Sequence, residues 1–242
     1  MIRILAAILA LILTAGTALA VQNPLRDRLL RNERSEQSIG WYQRADNGAF
    51  ILFDQSSSYA LLRERDDTNA EILVLFPNRA PGGGMSFVTD TGRELVRFTS
   101  LGGATYFPSD APNGVIIEFA SPAGGLVPAP RSSLEVRARA ERLAERASAV
   151  SGNAVTIEYA PAPRAGLGLQ YDVLWVIERS LDGSRRSGLR QLERIQIING
   201  ERANAYRTRD SLIVVINPQA GYAGRPSSEF VRAALQAAPI DA

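Results

Sequence analysis

From Gly40 to about Ser121 short apolar runs alternate with turn residues. Trp41-Tyr42, Ala49 to Phe53, Tyr59 to Leu62, Ile72 to Phe76, Met85 to Val88, Leu95 to Phe98, Ala104 to Phe107 and Val115 to Phe119 each have the length of a strand. Breaks such as Asp46-Asn47-Gly48, Thr91-Gly92 and Pro112-Asn113-Gly114 lie between them. A strand signal recurring every ten residues or so, with Gly and Asn in the turns, predicts an antiparallel β-rich domain, sandwich or barrel-like. The runs at 49–53 and 72–76 are apolar throughout, so those strands should be buried on both faces.

The pattern changes after residues 122–131, which are rich in Pro and Gly and read as a linker. Ser132 and Glu135 have capping-box spacing, Val136, Ala140, Leu143, Ala147 and Val150 repeat at helical intervals, and Gly152 ends the run. That is a helix. A strand over 154–160, a helix over 169–181 with a continuation at 188–192, strands over 194–198, 203–208 and 212–217, and a last helix over 227–238 complete the reading. The whole is an α+β protein whose second half lays helices on a mainly antiparallel sheet.

Residues 1–20 read as a secretory signal, with Arg3, an apolar stretch from Ile4 to Leu13, and Ala18-Leu19-Ala20 at the cleavage point. An uncleaved anchor is the alternative, although the strongly apolar part is short for a span. Residues 21–37 hold a short amphipathic helix, with Pro24 at its start and Leu25, Leu29 and Leu30 on one face. Its four arginines admit weak contact with anionic headgroups, and its leucines suit a cap on the domain that follows. The division is therefore 1–20 signal, 21–37 helix, 38–121 β-rich domain, 122–131 linker and 132–242 α+β domain. No later segment is apolar enough to cross a bilayer, so the mature chain is expected in the periplasm or outside the cell.

Composition removes whole classes of chemistry. The 242 residues include no Cys and no His, and all 27 basic residues are Arg. Catalytic groups built on Ser-His-Asp or Cys-His, ordinary zinc sites, thiol redox chemistry, the phosphate-binding lysine of a P-loop and Schiff bases are all out of reach. Neither a metal nor another cofactor is expected. The charge of +2 is a poor argument for nucleic acid. Loss of the signal segment would leave 26 arginines against 25 carboxylates, and the arginines of the 132–150 helix alternate with glutamates rather than aromatics.

Three loops concentrate glycine. Gly82-Gly83-Gly84 precedes a strand and reads as a turn, and Gly102-Gly103 as a bulge that sets Tyr106 and Phe107 into the core. The third, 218–228, leads into the last helix. There Arg225, the hydroxyls of Ser227 and Ser228 and the free N–H groups of the helix start suit a phosphate, sulfate or carboxylate. An ordinary helix cap uses the same residues. Acid chemistry on glycans needs two carboxyl groups across a cleft. Glu178 and Asp182 lie four apart on one helix and Glu118 lies within an apolar strand, which makes them the acids to consider, although arginine pairing would occupy Glu178 and solvent would surround Glu118.

The strings Leu95-Val96-Arg97-Phe98-Thr99-Ser100-Leu101-Gly102-Gly103-Ala104-Thr105-Tyr106-Phe107 and Gln219-Ala220-Gly221-Tyr222-Ala223-Gly224-Arg225-Pro226-Ser227-Ser228 resemble a family of secreted bacterial proteins of about 250 residues, common in Caulobacter-like species and known as a domain of unknown function. The resemblance implies export and carries no functional residues. The expectation is an exported, cofactor-free envelope protein that binds or scaffolds, its partner another envelope protein or a cell-wall component. The alternative is a periplasmic hydrolase of cell-wall glycan working with Asp and Glu.

Overall fold

All eight apolar runs of the first half form strands: β1 (Ile39–Arg44), β2 (Phe50–Asp54), β3 (Ala60–Glu64), β4 (Leu73–Arg79), β5 (Met85–Val88), β6 (Glu94–Phe98), β7 (Ala104–Tyr106) and β8 (Val115–Pro122). The computed structural model describes residues 38–65, 70–184 and 189–240. The expected signal segment and the 21–37 helix lie outside the described residues.

Each strand pairs antiparallel with the next, and β8 pairs back onto β1 to close a barrel. Closure leaves no free sheet edge. An eight-stranded barrel is just narrow enough for side chains to fill. Tyr42, Ile51, Phe53, Leu62, Leu75, Phe87, Tyr106 and Ile117 do so, with the rings of Phe53 and Phe87 edge-on at 5.1 Å. The register shifts at Trp41/Tyr42 and Phe87/Val88, where bulges bend the wall. The bulge expected at Gly102-Gly103 is instead the tight β6–β7 turn, closed by the Thr99 N–H donating to the Gly103 carbonyl at 2.8 Å, with Gly102 at φ +89°. Burial on both faces holds for Ile51 to Phe53 and for Val74 and Leu75, but Phe76 of β4 stands 40% exposed beside an open cleft.

In the second half, α1 (Ser133–Ser151) begins with the expected capping box of Ser132 and Glu135 and ends at Gly152 in the left-handed conformation. Then follow β9 (Thr156–Tyr159), α2 (Leu167–Leu181), β10 (Arg194–Asn199), β11 (Asn204–Arg207), β12 (Ser211–Ile216) and α3 (Ser228–Gln236). Of the expected continuation at 188–192, Gly188 lies outside the described residues, while Leu189 and Leu192 are buried in the core. Strand order is β11-β12-β10-β9. The α+β class is as expected, but the strand directions are not: β9, β10 and β12 run parallel, and only β11 is antiparallel to its neighbour β12. Two causes explain the correction. Helix α2 is a crossover that returns the chain to the same end of the sheet. The Asn199-Gly200 turn looked like a hairpin joining β10 to β11, yet β12 comes to lie between them. Leu143, Leu174, Ile177, Ile195, Leu212 and Val214, each fully buried, form the core between helices and sheet. Among the described residues no helix is long and apolar enough to cross a membrane.

Candidate functional site

The seam between barrel and α+β layer arises from the same two-faced strands. Leu61 and Val74 point away from the barrel interior and pack against Tyr222 of the 218–224 turn. The phenol of Tyr222 donates to the Val127 carbonyl at 3.3 Å. Burial, together with the charge of Asp172, pushes its pKa up to about 12, so it remains a donor at neutral pH. The Leu126 N–H donates to Asp54 Oδ2 at 2.7 Å. The stretch 122–131, read as a linker, begins inside β8 at Pro122, and its remainder is pinned across the barrel wall between β8 and α1.

The Arg225 guanidinium is fully buried in this seam. Its Nε donates to Asp172 of α2, Nη1 to Glu71 Oε1 at 3.3 Å and to its neighbour's carbonyl, Pro226 O, at 3.3 Å, and Nη2 to the Ile72 carbonyl at 2.8 Å. Burial opposes its charge, but the carboxylates of Asp172 and Glu71 outweigh that and raise its pKa. The Ser227 N–H and hydroxyl donate to the two oxygens of Asp90 at 2.7 and 2.6 Å. The Ser228 N–H donates to Glu71 Oε1 at 3.0 Å and its hydroxyl to Oε2. Arg225, Ser227 and Ser228 are therefore brought together as the sequence suggested, and the carboxylates they hold are the chain's own. Sequence reasoning missed Glu71 and Asp90, isolated acids in turns of the barrel more than a hundred residues away. The only signal for them was an unexplained acid beside an apolar run.

The three acids considered for glycan hydrolysis do not converge. Glu178 pairs with Arg139 at 2.5 Å and Asp182 with Arg146 at 3.0 Å, both along α1. Glu118 stands exposed on the outside of β8. Among the described residues no three acids come together in a way that could hold a metal ion.

Among the described residues, three clefts open along the seam. The first, about 290 Å³, is mainly apolar, with Phe76, Pro226 and Phe230 among its walls. The second, about 560 Å³, lies between β3, the pinned segment and α2 and is lined by Arg63, Arg131, Arg139, Tyr171, Trp175 and Tyr222. Gly168 shapes it, because a Cβ there would strike the Ala129 carbonyl. The Arg131 guanidinium stacks 4.3 Å from the Tyr171 ring centre, and Arg139 lies 5.7 Å from the same centre. Among the described residues Asp172 is the one carboxylate in its lining, and it is committed to Arg225. Arg131 and Arg139 have glutamate partners. Among the described residues Arg63 has no ion-pair partner. The third cleft, about 760 Å³, covers the barrel end at which Glu64 and Tyr106 lie.

Fold and seam together define an α+β protein in which a closed, filled barrel is locked to a second sheet by a buried arginine, with its open clefts along the join. A family model for a domain of unknown function, DUF4908, matches residues 24–235, and the chain belongs to that family. No curated protein and no solved structure matches the chain.

Proposed function

We propose that this chain is an exported binding module of the cell envelope, released from its signal segment after Ala20, and that it holds an acidic ligand in the arginine–aromatic cleft. The observation that carries the reading is the arginine-rich lining of that cleft: among the described residues Arg63 has no ion-pair partner, Arg131 and Arg139 are balanced by Glu135 and Glu178, and the one lining carboxylate, Asp172, is committed to Arg225. Arg63 offers its forked N–H donors to a carboxylate or phosphate, and Arg131 and Arg139, stacked on Tyr171, add positive charge and a planar wall to the same space. Binding is favoured over hydrolysis because Glu178 and Asp182 are held by arginines and Glu118 faces outward.

The test is calorimetric titration of the full chain with oligogalacturonate and, separately, inorganic phosphate, repeated on Arg63→Ala. Saturable binding of either probe, weakened about tenfold or more by the substitution and by added salt, supports the reading. Failure of both probes, or binding indifferent to Arg63, overturns it. Amino-terminal sequencing of the protein from the periplasmic fraction checks export, with Val21 as the expected first residue.

A further inference from the structure

The loops that follow β10 and β12 share one end of the sheet, because those two strands run parallel and side by side. Glu201, Arg202 and Ala203 come after β10, Asn217 and Ala220 after β12, and all five line the first cleft. In open sheets with parallel strands, ligands sit in the crevice outside the carboxyl ends. Here the barrel adds a wall through Phe76 of β4, and α3 adds another through Phe230.

These walls have surface to offer. Phe76 is 40% exposed, and Phe230, Ala203, Ala220 and Ala223 are half-buried. The three alanines leave the space that the two rings border. Its volume, about 290 Å³, is about twice that of an engineered apolar cavity that takes one benzene, which suits two fused rings. Charge does not select an ion here, since Asp90 and Glu201 stand against Arg202 and Arg225. Arg225 is fully buried and directs its donors into the protein. Polar recognition falls to Asp90, which is half-buried in the lining. The N–H and hydroxyl of Ser227 each hold one of its oxygens, at 2.7 and 2.6 Å, and among the described residues nothing else donates to them. Each carboxylate oxygen can accept a second donor. Asp90 is thus a fixed acceptor beside an apolar wall, the combination by which small-molecule sites orient a ligand.

We propose that the first cleft binds an uncharged aromatic molecule of about two fused rings that carries an N–H or O–H donor, with Phe76 and Phe230 as the ring contacts and Asp90 as the acceptor. The site shares no lining residue with the arginine–aromatic cleft and stands or falls without it. A hydrogen bond to the carboxylate orients the ligand, and burial of its rings supplies the attraction.

Calorimetry on the full chain with indole tests the proposal, with benzofuran as the isostere whose ring oxygen replaces the N–H. Indole should bind saturably, benzofuran at least about tenfold more weakly, and added salt should change neither. Phe76→Ala, at an exposed position, should weaken both probes about fivefold or more, because it removes a ring wall. Asp90→Ala should bring indole down to the affinity of benzofuran. Arg63→Ala should leave indole binding unchanged. Urea unfolding of each variant checks that it is folded. Absence of saturable indole binding up to about 5 mM, equal affinity for the two probes, or unaltered binding to Phe76→Ala overturns the site. An indole advantage that survives Asp90→Ala overturns the acceptor's role. The comparison of the two probes needs no substitution, so it decides the donor requirement even where Asp90→Ala does not fold.

Discussion

Arg44 and Arg225 are both buried, both held by two carboxylates, and differ in what surrounds those carboxylates. Arg44 closes the end of the barrel from within a single element of structure, and its partners Asp46 and Asp110 have side chains 39% and 61% exposed. Arg225 ties the segment just before β4, through Glu71 and Ile72, to α2, and its partners Glu71 and Asp172 are 5% and 19% exposed. When Arg44 is lost, water can reach the orphaned acids. When Arg225 is lost, Glu71 stays shut off from water and Asp172 meets it only at the edge of the second cleft. Pair geometry alone would rank the two alike; the fate of the abandoned partners separates them.

The largest effect is therefore expected from Arg225→Met, about 3–5 kcal/mol of stability, read from the midpoint of urea unfolding at unchanged slope. Adding Glu71→Gln and Asp172→Asn should recover part of the loss, since the buried charges go with it. A cost below about 1 kcal/mol for the single substitution would erase the distinction between the two arginines. Arg44→Met should cost less, about 1–2 kcal/mol in the same measurement. Ser227→Ala removes the hydroxyl that accepts the Phe230 N–H at 3.1 Å and donates to Asp90, and should cost about 1 kcal/mol.

Acid sharpens the contrast further. Hydrogen bonding to Arg44 holds both Asp46 and Asp110 below their ordinary value of 3.8. A carboxylate whose pKa is lowered by folding contributes fully above its unfolded value and loses the contribution as pH falls through the folded one. The barrel should thus lose a little stability below about pH 4, and Arg44→Met should flatten that part of a melting-temperature profile taken from about pH 5 to pH 2. Smallest of all, Arg63→Ala should shift stability by no more than about 0.5 kcal/mol, because among the described residues this arginine is tied to no carboxylate. A large loss there would make it a structural residue and remove it from the proposed ligand site.

Much of the fold was legible because it is written in local terms. Eight apolar runs became eight strands, and Ser132, Glu135 and Gly152 bounded α1 as capping chemistry requires. The direction of β10 relative to β12 was not legible, since turn residues report where a chain reverses and not which strand later fills the gap. The site divides the same way. The donors Arg225, Ser227 and Ser228 stood together in one string, while Glu71, Asp90 and Asp172 had to be delivered by three other parts of the chain. Arg63, Arg131, Tyr171 and Trp175 likewise share a cleft without sharing a motif.

What the sequence determined by itself was the periodicity of each element, the helix ends, and the absence of His, Cys and Lys chemistry, all properties of residues and their near neighbours. Only the tertiary structure decided that the donors before α3 would meet carboxylates of the same chain and that residues 123–131 would be pinned. Those outcomes depend on which surfaces come to face one another across a closed barrel and a crossover sheet. Contacts of long sequence separation are set by the packing of whole elements, and no local pattern records them.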